Sequence, residues 1–271
     1  MSHTVLRLHP GPPQEVDLRG LYLRQELHRQ GSPHAPFVYA DFVSSLDGRI
    51  AIADRVPAEL TAARDLRLLL ELQAQADCVI THGGYLRAIG EGRLGDILKI
   101  GAAEHGSDLR DWRSGNGLPP QPTIAIASAS LDFTMPPSIA SDTSRVLIAT
   151  TRSAPAARRR AWESRGYRVL VAGEGRWVEG GPLTRALGAL GHRTLFLLAG
   201  PRMLETMLRH AMLSRLYLTL VHRLLGGEPP QTAIAGHELR AAGRLRLQTL
   251  YQDATGPDGV SQWFAAFEPE R

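Results

Sequence analysis

A chain of 271 residues with 43% hydrophobic content is long enough to bury a core, and α/β chains of this length often form one domain. The net charge of +4 and pI near 9.6 rest on arginines dispersed among acids, with Lys99 the only lysine, which disfavours a nucleic-acid surface and lysine-based covalent catalysis. Cys78, the only cysteine, excludes an internal disulfide and a cysteine zinc site, and the ten histidines form neither an i,i+4 pair nor a His-x-Glu arrangement, so no metal is expected.

Residues 1–35 read as a loosely attached arm, followed by a single domain over residues 36–271. Apolar and β-branched runs predict strands at residues 37–43, 78–81, 123–127, 146–150, 167–171, 194–198 and 216–221. Residues 61–75 place Leu66, Leu69, Leu70 and Leu72 at helical spacing, with Thr61 as a candidate N-cap. Residues 91–122, rich in glycine and polar side chains, predict a helix and a long surface loop. Residues 154–165, with Pro155 in the first turn after Ser153, and residues 202–210 predict two more helices. Runs at 245–252 and 260–267 flank Gly256-Pro257-Asp258-Gly259, the signature of an antiparallel hairpin. Strands alternating with helices imply an α/β fold whose mostly parallel sheet ends in that hairpin. No apolar run approaches the ~20 residues of a membrane helix, and residues 1–13 lack a signal-peptide core, so a cytoplasmic protein without a membrane partner is expected.

Four segments at strand ends have the composition of ligand-binding turns. In Ser44-Ser45-Leu46-Asp47-Gly48-Arg49 the Ser45 hydroxyl and Asp47 carboxylate are available to a polar ligand, although Asp47-Gly48 also reads as a plain β-turn. Thr81-His82-Gly83-Gly84 and Leu197-Leu198-Ala199-Gly200-Pro201-Arg202 would let backbone amides approach a phosphate at a helix start, or simply make structural corners. Thr150-Thr151-Arg152-Ser153 offers hydroxyls and a guanidinium, with Ser153 alternatively an N-cap, and Ser128 ends a further strand. Such turns on one edge of one sheet favour a nucleotide cofactor more than any one of them does.

The order of these pieces resembles the riboflavin-biosynthesis pyrimidine reductases. The likeness runs from Pro36-Phe37-Val38 through Ser45-Leu46-Asp47-Gly48-Arg49-Ile50-Ala51 to Ala76-Asp77-Cys78-Val79-Ile80, Gly200-Pro201 and Leu224-Leu225-Gly226-Gly227. The resemblance implies a dihydrofolate-reductase-like three-layer α/β/α fold, NADPH as cofactor, a small-molecule substrate and a homodimer. It places Ser45 on the substrate and Asp47, the candidate catalytic residue, beside the nicotinamide. It places the cofactor diphosphate on Gly200 through Thr206, and with the strand-end turns the candidate cofactor contacts are Asp47, His82, Gly83, Gly84, Ser128, Thr150, Thr151, Ala199, Gly200, Pro201, Arg202 and Met203. The reaction it implies is hydride transfer to the ribose C1 of a ribosylaminopyrimidine, opening the sugar to a ribityl chain. Departures fall on the substrate side: Leu198 stands where the family has glutamate, Tyr85 where it has threonine, and Asp41 where it has lysine or asparagine. Residues 87–91 carry no counterpart of its acidic substrate segment. The alternative is a non-catalytic nucleotide-, pterin- or flavin-binding protein on the same scaffold.

Overall fold

The computed structural model describes residues 4–102 and 106–270. In chain order its elements are β1 (Thr4–His9), β2 (Gln14–Asp17), β3 (Phe37–Ser45), α1 (Ala63–Ala74), β4 (Cys78–His82), α2 (Gly83–Gly90), α3 (Leu109–Gly115), β5 (Thr123–Ala127) and α4 (Pro137–Ala140). There follow β6 (Val146–Thr150), α5 (Ala156–Ser164), β7 (Arg168–Val171), α6 (Gly180–Ala189), β8 (Thr194–Leu197), α7 (Pro201–Arg209), β9 (Leu213–Val221), β10 (Leu245–Asp253) and β11 (Gln262–Pro269).

All these strands join one sheet in the order β2-β1-β10-β11-β9-β3-β8-β4-β5-β6-β7. From β9 to β7 every neighbouring pair is parallel, and the β10–β11 hairpin adds to β9 antiparallel, as the sequence predicts. Parallel strands need crossovers, and crossovers cover both faces, so these strands are apolar on both sides. Tyr39, Val79, Ile126, Ile148 and Phe196 pack with Leu68 and Leu72 of α1 on one face. Ala40, Ile80, Ala125, Leu197 and Leu195 pack with Leu183 of α6 and Met207 of α7 on the other. The result is the three-layer α/β/α architecture with a mostly parallel mixed sheet.

The segment before residue 36 differs from the expectation of a loose arm. β1 pairs antiparallel with β10 and β2 with β1, extending the sheet beyond the terminal hairpin. Leu21, Tyr22 and Leu27 are buried in the main core. The fully buried Glu71 of α1 accepts hydrogen bonds from the amides of Gly20 at 2.6 Å and Tyr22 at 3.0 Å, and from Arg67 Nε at 2.8 Å. Gln75 accepts from the Leu27 amide and donates to the Tyr22 carbonyl. A buried carboxylate needs such donors, and the N-terminal segment supplies them.

Thr61 does not cap α1: Ala62 holds the N-cap position, and the Thr61 hydroxyl donates to the Ala58 carbonyl one turn earlier. Nor does Ser153 cap α5, because its hydroxyl donates to the Gly175 carbonyl and Pro155 precedes the helix. Within residues 91–122 the predicted helix is α3. Its fully buried Arg113 donates to the carbonyls of Ala74, Ala76 and Pro119, closing the end of α1.

Candidate active site

The carboxyl ends of β4, β5, β6 and β8 open on one cleft of about 610 Å³. At an open parallel sheet this is where crossover loops leave backbone and side-chain groups free for a ligand. His82, Gly83 and Gly84 line the cleft after β4, Ser128 after β5, Thr151 and Ser153 after β6, and Gly200, Pro201, Arg202 and Met203 after β8. Neither α2 nor α7 has a side-chain cap at its N-terminus. A Cβ on Gly83 would stand 2.9 Å from Ser128 Oγ and 3.1 Å from Phe133 Cδ1, so glycine lets the β4 and β5 ends close together.

Three arginines line this cleft: Arg87, Arg176 and Arg202. Arg176 and Arg202 lie over the two-fifths-exposed Trp177 ring, with guanidinium carbons 4.8 and 4.9 Å from its centroid. Two cations within 5 Å of one planar ring, beside hydroxyls and glycines, make a setting that suits an anionic ligand carrying a flat ring.

A second cavity of about 590 Å³ lies between the β3–α1 layer and α2, and shares His82, Gly200 and Pro201 with the cleft. Phe42, Leu66, Leu69, Tyr85 and Leu198 supply apolar wall, and Ala199 lines this cavity rather than the cleft. Asp41 of β3 and Asp65 of α1 also line it. Burial, then the charge of Asp65, pushes the Asp41 carboxyl well above the ordinary aspartate range. Burial pushes Asp65 up to about 6, against a hydrogen bond from the Thr219 hydroxyl. At the junction, burial and then the charge of Arg87 lower His82 to about 4, so its ring is neutral at pH 7. Among the described residues the His82 side chain has no hydrogen-bond partner.

Ser45 and Asp47 lie elsewhere. The Gly48 amide closes a turn on the Ser45 carbonyl at 3.0 Å, with Gly48 at φ 80°, so the plain-turn reading describes this segment. The Ser45 hydroxyl donates to Asp47 Oδ1 at 2.5 Å, and Asp47 accepts from the amides of Leu225 at 3.1 Å and Gly226 at 2.7 Å. The Ser45 hydroxyl, then those amides, hold the Asp47 carboxyl down at about 2. Neither residue lines the cleft or the second cavity, although Val43 and Ile50 on either side of the segment line the second one. Their groups are used to tie the end of β3 to the loop after β9.

Thr150 is fully buried behind the cleft and does not line it, and its hydroxyl has no hydrogen-bond partner. Arg152 points to solvent in an ion pair with Glu174 at 2.6 Å. The cleft's cations are instead Arg87, Arg176 and Arg202, of which only Arg202 was legible beforehand. Among the described residues no group of three or more histidine, cysteine or acidic side chains is placed to hold a metal ion, and no helix is long and apolar enough to cross a membrane.

Comparison with known proteins adds an independent line. Residues 36–259 match the family described as RibD C-terminal domain. The 2,5-diamino-6-ribosylamino-4(3H)-pyrimidinone 5′-phosphate reductase of Archaeoglobus fulgidus is 25% identical over 210 residues, 78% of this chain and 91% of that protein. Among solved structures, a pyrimidine reductase-like protein from Corynebacterium diphtheriae superposes with a TM-score of 0.63 at 21% identity, covering 87% of this chain and 92% of that one. The riboflavin biosynthesis reductase of Saccharomyces cerevisiae gives 0.57 at 11% identity, covering 93% and 99%. At these identities the two structures establish the fold.

Proposed function

The chain belongs to the RibD C-terminal domain family, and from that premise we propose that it is an NADPH-dependent pyrimidine reductase, transferring hydride to a ribosylaminopyrimidine or a related heterocycle. The observation that carries this reading is the convergence of four strand ends on one arginine-bearing cleft that opens, at His82, Gly200 and Pro201, into a second cavity. Two adjoining compartments suit two reactants that must meet, and holding them together is most of what a protein contributes to hydride transfer.

The residues present fit the cofactor. Gly83, Gly84 and Gly200 would admit its diphosphate closely, Ser128 and Thr151 would donate to its oxygens, and Arg176 and Arg202 with Trp177 would take its adenosine end. A cleft with three guanidinium groups favours the more highly charged NADPH over NADH. When bound, NADPH supplies the hydride. The chain's own contribution is to orient the two rings at the junction and to exclude water with Leu198, Pro201 and Tyr85. A homodimer belongs to the same reading, and sedimentation tests it.

Leu198, which cannot accept a hydrogen bond where the family has glutamate, favours a second reading: a ligand-binding protein on this scaffold. Complementation of a riboflavin auxotroph lacking the reductase separates the two. Growth is expected for an active reductase; failure to grow, with NADPH binding retained in the purified protein, favours the binding protein or another substrate.

A further inference from the structure

Two of the departures from the family pattern stand side by side in the sheet. β3 and β8 are parallel neighbours with Ala40 beside Leu197, so the register carried one residue further sets Asp41 beside Leu198, about 5 Å away on the adjacent strand. Neighbours of this kind point to the same face, and both residues line the second cavity. Where the family has lysine or asparagine at the first place and glutamate at the second, this chain has aspartate and leucine. The cavity has kept a carboxyl and moved it by one strand.

Hydride transfer to a ribose C1 also consumes a proton. C1 gains a C–H bond with the hydride's electron pair, its bond to the ring oxygen breaks, and that bond's electron pair stays on the oxygen, which takes up one proton to become a hydroxyl. Few groups around the second cavity can donate it. The Thr61 hydroxyl is engaged by the Ala58 carbonyl and the Tyr85 hydroxyl by the Gly95 carbonyl at 2.7 Å, and burial pushes Tyr85 up to about 12. His82, lowered to about 4, is a neutral ring and no acid at pH 7. Asp41 and Asp65 remain. Among the described residues no lysine or arginine lines this cavity, and Arg64, next to Asp65 on α1, turns instead to Asp253 at 2.8 Å. Tyr22 and Tyr217, which also bear on Asp41, are raised by burial and stay neutral. Two carboxyls facing one cavity without a cation repel each other when both are ionised, so the pair retains a proton. Burial and the charge of Asp65 keep it on Asp41, while the Thr219 hydroxyl bonds the Asp65 carboxylate.

We propose that Asp41 is the catalytic acid of this chain: its carboxyl, displaced by one strand from the place where the family has glutamate, protonates the sugar oxygen released as hydride adds to C1. The proposal rests on the reductase reading, because that reaction is what calls for the proton. Each turnover leaves Asp41 as a carboxylate, which takes its next proton from water. Asp65 is a positioning residue, acting through its charge to keep the proton on Asp41.

The test has a spectroscopic and a kinetic arm. Infrared difference spectroscopy of the cofactor-free chain is expected to show the carbonyl band of a protonated carboxylic acid at neutral pH, lost at high pH and absent in Asp41→Asn. In NADPH oxidation with a ribosylaminopyrimidine 5′-phosphate, Asp41→Asn is expected to lower kcat by at least about 100-fold with NADPH affinity unchanged. Wild-type kcat is expected to fall as pH rises through the titration of the pair. Asp65→Asn should move that fall to lower pH without abolishing turnover, and serves if Asp41→Asn does not fold. The double variant Asp41→Asn with Leu198→Glu returns a carboxyl to the family's place and is expected to regain at least about tenfold of the lost kcat, which a merely structural role for Asp41 would not allow. A neutral-pH spectrum without the band, an Asp41→Asn kcat within about threefold of wild type, a pH profile unmoved by Asp65→Asn, or a folded double variant no faster than Asp41→Asn would overturn the proposal. A wild type that never oxidises NADPH refutes the reductase reading and the catalytic role with it, whereas turnover that survives Asp41→Asn refutes the proposal and leaves that reading intact.

Discussion

Gly84 is where a single methyl group should separate stability from function. An ideal Cβ there would lie 2.8 Å from His82 Nδ1 and 3.0 Å from His82 Cε1. Ordinary carbon contacts begin near ~3.5 Å, so Gly84→Ala must push the ring by roughly half an ångström or into another rotamer. The alanine gains up to ~1 kcal/mol of helix propensity in α2, and the displaced ring costs ~0.5–1.5 kcal/mol, so net stability changes by about 1 kcal/mol or less. In a chain of this length that is a shift of about 2–4 °C in melting temperature. The displaced ring, however, stands at the junction of cleft and cavity, where a small misplacement of reacting partners costs ~10–100-fold in kcat/KM. Calorimetry with NADPH-oxidation kinetics on a ribosylaminopyrimidine measures both. Unchanged kcat/KM would refute the placement of His82 at the reacting centre, and a melting temperature lowered by ~10 °C would mean that the backbone, rather than the ring, absorbs the clash.

Three further outcomes are expected. Glu71→Gln weakens the acceptor that holds the Gly20 and Tyr22 amides and Arg67, and should lower unfolding free energy by about 3 kcal/mol in denaturant titration; an unchanged midpoint would return the first 35 residues to a loosely held arm. Arg202→Ala should weaken NADPH binding by ~10-fold or more, while Arg152→Ala, whose partner is Glu174 at the surface, should leave it unchanged; equal effects would contradict the location of the cofactor's charge. The Asp47 carboxyl, held at about 2 by Ser45 and two amides, should protect the Leu225 and Gly226 amides from hydrogen exchange above pH 4 and release them as pH falls toward 2. Asp47→Asn should show the released exchange already at neutral pH, and protection that persists would show that the loop is held by something else.

The parallel half of the sheet was legible because strands buried on both faces, such as Val146–Thr150 and Thr194–Leu197, are nearly unbroken apolar runs. β1 and β2 were not, because they extend the sheet's edge and intersperse Arg7, Glu15 and Asp17 among few apolar side chains. Their place is set by pairing with β10, far along the chain, and the segment after them by long-range bonds to Glu71 and Gln75, which no local pattern records. In the site, the glycine turns announced themselves by composition, and their convergence followed from sheet topology. Arg176 and Trp177 sit between Gly175 and α6 with no periodicity to mark them, and Arg87 reads as one more polar residue of a short helix. Asp65 was hidden by its position in the first turn of an amphipathic helix, where an acid is ordinarily explained by the helix dipole. Ser45 and Asp47 were legible as a motif, whereas the bonds that tie their turn to the loop after β9 are long-range and no local pattern records them.

The central claim is that the four strand ends form a dinucleotide cleft, and titration of the purified chain with NADPH and NADH, followed by calorimetry, tests it most directly. Saturable one-to-one binding of NADPH, tighter than that of NADH and weakened in Arg202→Ala, is the expected result. No saturable binding of either nucleotide would contradict the account.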